Sequence, residues 1–420
     1  MDINFNQGKK ELETEQQEQM ISEDGEIITD FEEDTTDYAK LNRERERDEF
    51  KDHIKKLLMI MGVIVLVLIL IFFLSSLFIK KKYTYPEIET VMENACKDYF
   101  KDYPNYLPKE ENASRNVPVD NLVDGNYMKD LSSYVPDGVT CNGRVNVEKT
   151  SEDYDYRAYL NCGDTYKTIE LAKKIANETP IVNSGYGLYN LHGNYVYRGE
   201  KVNNYLKLEQ NLWRIVRVNS DETITLVLSD RFDMNSVQWD NRFNKVKGHN
   251  IGINNYSTSR VKENLAKMYK GFTDENGKKK VLLSDTDKTK LAYFDLCVGK
   301  RGSTETGNAN ISECKEKEVN QKVGLLTISD YMMASTDVDC KTALSANCMN
   351  YNYLYTDEYS FWFATADSAN SFDVYCLDQY NGLVIRHANS SGRVRPVITL
   401  KANVFYMSGK GTKSNPYVIK

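Results

Sequence analysis

The longest apolar stretch of the chain runs from Leu57 to Ile79 and contains no charged residue. A helix over this stretch measures about 34 Å, enough to cross a hydrocarbon core of about 30 Å. A buried helix of a soluble protein is rarely apolar on every face over such a length, and lysines border the stretch at both ends. We therefore predict a single transmembrane helix over residues 57–79.

A cleaved signal peptide is the other explanation for such a stretch. The apolar run is too long for one, begins 56 residues into the sequence, and is followed by no small-residue cleavage site. An uncleaved signal anchor fits the pattern better.

Polar residues dominate the region before this stretch. Residues 1–42 are rich in Glu, Gln and Asp and hold few large apolar residues, so they cannot offset their chain entropy by burial. We predict a disordered acidic tail there, solvated rather than an interaction segment. Residues 43–56 form a charged juxtamembrane segment, which opens with the alternating charges of Arg43–Arg47 and leads as a helix into the membrane.

Residues 83–170 alternate between helical and strand-like periods. From Pro86 to Tyr103 apolar residues recur on one helical face, and proline suits the first turn of a helix. We expect this helix to continue the membrane helix as a stem, with a second short helix within Val119–Leu131. Two strand-like stretches follow, Val139–Val147 and Tyr154–Thr168, and they are expected to pair as a hairpin.

Residues 171–185 show no clear period and are interpreted as a linker. In residues 186–420, Leu212–Asn219 and Thr223–Leu228 flank a turn and predict a hairpin, and Tyr256–Tyr269 predicts a helix. A strand running into a short helix is expected at Val323–Ser335, and further strands at Phe361–Phe363, Asp373–Leu377 and Val394–Leu400. This order predicts an α+β fold.

The last thirty residues are patterned to the end of the sequence. Val394–Leu400 is expected to be a central closing strand, and Gly409 and Gly411 to form a turn that uses positive φ. A final short strand is expected to pack Tyr417 and Ile419 on the domain.

The helix after the apolar stretch, the sequence VDNLVDGNYMKDL and the cysteine-bearing ribbon together resemble the pseudopilin-type domains of Gram-positive bacteria. The resemblance covers about residues 85–170 and implies a pilin-like stem. Prepilins carry a processing site of the type GFTLIE at the start of the apolar helix, whereas this chain reads LLMIMGVIVLVLIL after a long acidic tail.

The second resemblance covers about residues 186–420. Its motifs are LWRIVRVNSDETITLVLSD, NNYSTSRVKENL, GLLTISDYMMAS, YSFWFAT, and VRPVITL followed by GKGTKSNPYVI. They resemble a recurring domain of Gram-positive surface and secreted proteins, which in turn resembles the C-type-lectin or formylglycine-generating-enzyme fold. This likeness implies a loop-rich domain closed by late strands, and it concerns the fold alone.

Charge and composition exclude one class of partner. Residues 1–56 hold 9 of the 54 basic and 18 of the 61 acidic residues, so they carry a net charge of −9 and the remainder sums to +2. No basic face for nucleic acid is indicated. The 29 Tyr, against 15 Phe and 3 Trp, suit a recognition surface, although tyrosine is also a common strand residue.

All eight cysteines follow the apolar stretch. Because disulfides persist in oxidising compartments, the C-terminal part is expected outside the cell and the N-terminus inside. The ribbon brings Cys141 and Cys162 together, and two loop-closing pairs are expected, Cys297 with Cys314 and Cys340 with Cys348. Cys96 and Cys376 remain, either as a bridge between the two regions or as free thiols.

The sequence contains no motif for a metalloprotease, a serine hydrolase or a phosphate-binding loop. Lone histidines are more often structural or solvated than catalytic. We therefore expect no enzyme activity, no cofactor and no metal.

Trp239 differs from Trp213 and Trp362, which sit in strand patterns. It lies in an Asn- and Gly-rich stretch without period, so it is either an exposed ligand anchor or a plug that folds back on the loop. A carbohydrate site is the hypothesis, and its expected residues are Trp239, Asn241, Tyr380, Asn381 and Arg386.

Two functions follow as hypotheses. The first is a membrane-anchored cell-surface protein that displays a lectin-like domain for a glycan or protein ligand. The second is a structural or assembly component of the bacterial cell envelope without a small-molecule ligand.

Overall fold

One long helix carries the apolar stretch. The computed structural model describes residues 35–78, 83–111, 113–307 and 311–420. Helix α1 spans Thr35–Phe78, and within the described residues its segment Arg47–Leu70 is long and apolar enough to cross a membrane. The predicted span of residues 57–79 lies in α1 except for Ile79, which is outside the described residues.

Helix α1 begins earlier than the sequence predicts. The disordered tail was expected to reach residue 42, but the helix starts at Thr35, so this part of the prediction is wrong. Oppositely charged side chains four residues apart, such as Arg45 and Glu49 at 3.7 Å, are compatible with a solvated helix and explain why polarity alone misleads here. Residues 1–34 of the predicted tail lie outside the described residues.

The remaining elements mix helix and sheet, which confirms the predicted class at that level. The shorter α-helices within the described residues are α2 (Tyr85–Asp102), α3 (Val119–Asp124), α4 (Leu171–Glu178), α5 (Arg260–Lys270), α6 (Asp285–Thr289) and α7 (Ile328–Ala334). The strands of residues 83–170 are β1 (Ser114–Pro118), β2 (Asn142–Lys149) and β3 (Tyr154–Asn161).

The strands of the following region are more numerous and shorter. They are β4 (Gly187–Leu191), β5 (Asn194–Arg198), β6 (Tyr205–Leu208), β7 (Asn211–Val218), β8 (Ile224–Leu228), β9 (Val237–Gln238), β10 (Phe272–Thr273), β11 (Lys279–Lys280), β12 (Phe294–Cys297), β13 (Lys300–Arg301), β14 (Lys317–Gln321), β15 (Phe361–Asp367), β16 (Asp373–Asp378), β17 (Gly382–His387), β18 (Ser391–Gly392), β19 (Val397–Leu400), β20 (Tyr406–Ser408) and β21 (Tyr417–Ile419).

Residues 83–170, the stem region, form one helix packed on a three-stranded antiparallel sheet. Helix α2 buries the face predicted from its period, including Ile88, Met92 and Cys96, against the sheet β1-β2-β3. Thr84 has an extended backbone and its N–H donates to the Glu87 carboxylate at 2.7 Å, so α2 starts with its own N-terminal cap.

The ribbon of the stem region is closed by a disulfide. Strands β2 and β3 pair so that Asn142 lies opposite Asn161. Cys141 and Cys162 therefore stand opposite each other one position beyond the ladder, and they are bonded. The structure also joins Cys297 to Cys314 and Cys340 to Cys348, as expected. Cys96 and Cys376 are free thiols, both buried, which decides between the two alternatives.

The predicted linker of residues 171–185 is partly wrong. Leu171–Glu178 forms α4, and its residues Leu171, Ala172 and Ile175 are buried in the core of residues 171–420, the C-terminal region. Eight residues provide too few turns for a helical period to stand out in the sequence, which is why the segment reads as structureless.

Two sheets organise the C-terminal region. The larger follows the order β19-β8-β7-β6-β21-β20, and β4 and β5 join it through β7. The smaller follows the order β13-β15-β16-β17. The predicted hairpin corresponds to β7 and β8, and the predicted helix to α5, capped by the Ser259 side chain.

The end of the chain closes the larger sheet. Strand β21 pairs with β6 in parallel and with β20 antiparallel, and Tyr417 and Ile419 are buried, as expected. The expectation of a central strand at Val394–Leu400 is wrong, because β19 lies at one end of the strand order. It is nevertheless fully buried, since single bridges to Gly324 and Leu291 cover it.

Contacts join the stem region to the C-terminal region. The Lys420 ammonium lies 2.7 Å from the Glu93 carboxylate and 3.5 Å from that of Glu89, both on α2. The rings of Tyr159 and Phe405 meet edge to face at 5.5 Å. The described residues from Tyr83 onward form one compact unit with its own hydrophobic cores, distinct from α1.

Candidate functional site

Trp239 is not the exposed anchor of a ligand site. Its side chain is 0% exposed, and its indole N–H donates to the Phe363 carbonyl at 2.9 Å. Its ring packs edge to face on Tyr256 at 6.1 Å. The interpretation as a binding residue is therefore wrong, and the alternative of a plug under the loop is the one that the structure adopts.

Asn241, the second residue of the predicted carbohydrate site, lies at the surface. Its amide donates to the Gln238 side chain at 2.9 Å. It borders a shallow depression of about 340 Å³ that is also lined by Arg260, Glu263 and Lys267. No aromatic side chain lines this depression, so it lacks a stacking surface.

Tyr380 and Asn381 lie in the turn between β16 and β17, and Arg386 lies on β17. Asp378 organises this turn: its carboxylate accepts the backbone N–H of Tyr380 at 3.1 Å and of Asn381 at 2.9 Å, and pairs with the Arg386 guanidinium. Burial opposes ionisation of Asp378, but these donors and the Arg386 charge outweigh it and lower the pKa of Asp378. The polar groups of Asn381 and Arg386 therefore serve the turn, while Tyr380 projects into solvent, 81% exposed.

The structure thus divides the predicted site. Trp239 belongs to the core, Asn241 borders one surface depression, and the Tyr380 turn is a separate hairpin end whose Gly382 packs near Met349. The five residues do not line one cavity.

A different cavity offers a better site. It measures about 380 Å³ and lies beside the β7–β8 hairpin, and we call it the hairpin cavity. The residues that line it are Arg217, Asn219, Asp221, Thr223, Thr225, Tyr293, Phe294, Asp295, Leu296, Cys297, Leu325, Thr327, Asp330, Val397 and Thr399.

A chain of hydrogen bonds fixes one wall of the hairpin cavity. The Arg217 Nε donates to the Asn219 side chain at 2.8 Å, and the Asn219 amide donates to the hydroxyls of Thr223 and Thr225 at 2.9 and 3.1 Å. These side chains are therefore preorganised rather than free to rearrange. Preorganised polar groups lower the entropic cost of ligand binding.

The base of the cavity holds a charge pair. Arg217 donates to Asp330, which is buried and also caps α7 by accepting the Thr327 backbone N–H at 3.0 Å. Because Asp330 serves both Arg217 and the helix cap, the guanidinium is held in place by the fold. The cavity wall is thereby tied to the start of α7.

An aromatic ring stands at the edge of the cavity. Tyr293 is 61% exposed, and the Lys322 ammonium lies 4.7 Å from the centre of its ring. The hydrogen bond from Lys322 to Tyr293 raises the pKa of Lys322, so this lysine stays charged. An exposed ring beside fixed hydroxyl, amide and guanidinium groups is an arrangement that stacks on a sugar face and hydrogen-bonds its hydroxyls.

The charges of the lining limit the ligand class. Three carboxylates, Asp221, Asp295 and Asp330, face two cations, the Arg217 guanidinium in the lining and the Lys322 ammonium at its edge. An anionic ligand would meet net repulsion, whereas a neutral or cationic one would not. Within the described ranges, no three His, Cys, Asp or Glu side chains are grouped to hold a metal ion.

Sequence reasoning missed the hairpin cavity because its residues come from four separate stretches. One local signal existed: at the end of β7, in the turn and at the start of β8, the polar residues Arg217, Asn219, Thr223 and Thr225 flank the buried apolar residues Val218 and Ile224. Alternation shows that these side chains share a face, but not what covers that face. The covering strand β12 pairs with β14, and neither strand neighbours β7 or β8 in the sheet order.

Comparison of the chain with protein-family models, with curated proteins and with solved structures gives no match.

Proposed function

We propose that this protein is a single-pass membrane protein whose extracytoplasmic part binds a neutral or amino-sugar carbohydrate in the hairpin cavity. The observation that carries the proposal is the exposed Tyr293 ring beside the fixed Arg217, Asn219 and Thr223 side chains. In this proposal α1 is a signal anchor, with the N-terminus cytoplasmic and the disulfide-bearing residues on the oxidising side.

The proposal includes both sequence resemblances. The order of helix, short helix and disulfide-closed ribbon supports a pilin-like stem in residues 83–170. The late strand β21, which returns to pair with β6, supports a lectin-like architecture for the C-terminal region. Its ligand is expected in the hairpin cavity and not at the turn that carries Tyr380.

The test uses the soluble unit of residues 83–420 on an array of neutral, amino-sugar and acidic oligosaccharides. We expect retention of neutral or amino-sugar glycans, and Tyr293→Ala is expected to weaken it about tenfold through the lost stacking surface. Because Tyr293 is largely exposed, this substitution should leave the thermal midpoint unchanged.

The matched control is Tyr380→Ala, which removes an even more exposed tyrosine from the other turn. It should leave glycan retention unchanged. Equal loss in both variants, or preferential retention of acidic glycans, would contradict the proposed site.

The second candidate is a structural component of the cell envelope without a small ligand. The observation in its favour is the direct joining of the stem region to the C-terminal region by Lys420 and by the Tyr159–Phe405 contact. Envelope defects on deletion, together with an array on which nothing is retained, would favour this candidate over the first.

A further inference from the structure

A turn after β9 presents apolar side chains on a tightly held backbone. Residues 242–249, the basic loop, are closed by a bridge between Asn244 and His249. The Asn244 side-chain oxygen accepts the backbone N–H of Val246 at 3.0 Å, and its amide donates to the Gly252 carbonyl at 2.9 Å. Asn244 itself is buried, so the loop is anchored to the domain from beneath.

Two apolar side chains of the basic loop are open to solvent: Val246 lies at its tip, and Phe243 directly precedes the closing residue Asn244. Val246 is 78% exposed and Phe243 is 53% exposed. Loops held by internal hydrogen bonds normally turn polar side chains outward, and the fixed backbone here prevents these two from folding back. The folded loop therefore presents both side chains to solvent.

The charges around this tip have one sign. The loop sequence RFNKVKGH contains Arg242, Lys245 and Lys247 but no acidic residue. Arg242 is neutralised by Asp240 at 2.8 Å, whereas Lys245 and Lys247 flank Val246 directly. The Lys247 ammonium lies 4.7 Å from the centre of the Phe372 ring.

The nearest carboxylate to Phe372 along the chain, that of Asp373, has hydrogen-bond partners of its own. The His387 ring meets that of Phe372 at 5.4 Å, and its Nδ1 lies 2.6 Å from the Asp373 carboxylate. The Asn370 amide donates to the same carboxylate at 2.6 Å, so Asp373 is held by these two side chains and not by the lysines of the loop.

A second loop of the same region provides the opposite case. Val338 is 82% exposed, but its neighbours are Asp337 and Asp339. Val246 and Val338 thus have similar exposed fractions, but Val246 lies between two lysines and Val338 between two aspartates. Exposure alone does not distinguish the two loops, and the flanking charge does.

We propose that the basic loop docks on a lipid bilayer with anionic headgroups, with Phe243 and Val246 entering the interface and Lys245 and Lys247 contacting lipid phosphates. A bilayer accepts a convex apolar tip without a complementary groove, and cations beside such a tip add to its membrane affinity. The inference rests on the membrane anchoring in the proposed function, because an anchored chain keeps its loops close to a bilayer.

The test measures binding of the soluble unit of residues 83–420 to phosphatidylcholine vesicles with and without phosphatidylglycerol. We expect binding only to the anionic vesicles, and weaker binding at high salt, where the lysine charges are screened. Lys245→Ala combined with Lys247→Ala should weaken binding by roughly 25-fold, about fivefold for each lysine. Val246→Asp should weaken it by at least about tenfold.

Val338→Asp is the matched control, because it makes the same change on an equally exposed valine in the acidic loop. It should leave vesicle binding unchanged, and all variants should keep the wild-type thermal midpoint. Equal binding to neutral vesicles, or no loss in the loop variants, overturns the inference. If the protein does not bind vesicles but self-associates with increasing concentration, and Val246→Asp abolishes this self-association, then the loop binds a second copy of the chain and the inference is overturned.

This experiment is independent of the cavity. Membrane fractionation of the full chain tests the anchoring by α1, and the glycan array tests the ligand site. Suppose that residues 83–420 do not bind vesicles, whereas the full chain fractionates with membranes. This result would contradict membrane docking by the basic loop, and it would not contradict the proposed function.

Discussion

The stem region and the C-terminal region are stabilised by different kinds of buried groups. The stem region packs an apolar helix face on a regular three-stranded sheet, and among its described residues the buried polar side chains are Glu89 and Thr168, which are hydrogen-bonded to each other near the junction with Lys420. The C-terminal region buries charged side chains as well, among them Asp240, Arg301, Glu313 and Arg395. The first type of core follows from a repeating pattern, and the second requires specific partners.

The pair of Arg301 and Glu313 shows how the second type works. Both side chains are fully buried, and the Glu313 carboxylate accepts the backbone N–H of Ser329 at 3.0 Å and the Thr365 hydroxyl at 3.1 Å. One carboxylate thus connects the loop that the Cys297–Cys314 disulfide closes to α7 and β15. Irregular loops in this region are held by such buried, hydrogen-bonded charged side chains, because the loops lack the regular backbone hydrogen bonds of a β-sheet.

The largest expected effect is at this node. Glu313→Gln leaves the Arg301 charge buried without its counter-charge, so we expect the free energy of unfolding to fall by about 3–5 kcal/mol. Urea denaturation of the soluble unit of residues 83–420, followed by far-UV circular dichroism, measures the change.

Its control is Glu263→Gln, which breaks the exposed pair with Arg260 at 2.9 Å. Exposed pairs contribute about 1 kcal/mol or less. Equal effects at both positions would mean that burial of charge is not what separates the two regions.

The difference between the regions also explains what the sequence could predict. Helix α2 was found with its buried face, because Ile88, Met92 and Cys96 repeat at helical spacing. The ribbon disulfide followed from the two strand-like stretches around Cys141 and Cys162. Where periodicity and packing agree over several turns or pairs, a single sequence is sufficient.

Trp239 shows where that reasoning fails. Its stretch has no period, because the segment is held by Asp240, whose buried carboxylate accepts the Ile253 N–H at 2.7 Å and the Arg242 Nε at 2.8 Å. Nothing in the sequence marks Asp240 as buried, so the polar residues around Trp239 suggested an exposed loop. The hairpin cavity was missed for a related reason, since Tyr293 and Arg217 meet only in the folded chain.

The next effect concerns the apolar core of the stem region. Met92 is fully buried against the sheet, and Met92→Ala is expected to lower the free energy of unfolding by about 2–4 kcal/mol through the cavity that it leaves. Met407→Ala, at a position of β20 that is 40% exposed, should cost less than about 1 kcal/mol. A cost at Met92 as small as at Met407 would show that the helix face is loosely packed and would weaken the contrast between the regions.

The smallest effect lies at the junction of the two regions, and the two free thiols can report it. Burial raises the pKa of both Cys96 and Cys376 from 9.0 to about 12, so at pH 8 each folded thiol is protonated and protected from alkylation. Below about pH 9 both thiols are protonated in the folded and in the unfolded chain, so they do not change the free energy of unfolding. Between about pH 9 and 12 they ionise only in the unfolded chain, so the free energy of unfolding falls as the pH rises. Labelling at pH 8 therefore reports local opening without itself destabilising the fold.

Lys420→Met removes the ammonium that lies 2.7 Å from Glu93 while keeping the length of the side chain. Lys420 is 26% exposed, and the buried Glu89 carboxylate keeps the hydroxyls of Tyr166 and Thr168 as donors. We therefore expect a cost of about 1 kcal/mol, which corresponds to roughly fivefold faster labelling of Cys96 in the stem core. Cys376, which lies in the other core, should be labelled at the wild-type rate, as quantified by peptide mass spectrometry after alkylation. If alkylation became faster by the same factor at Cys96 and Cys376, the two regions would open as one cooperative unit. Their different cores would then not be separate units of stability. Acceleration at Cys96 alone would show that each core opens by itself and that Lys420 connects the two.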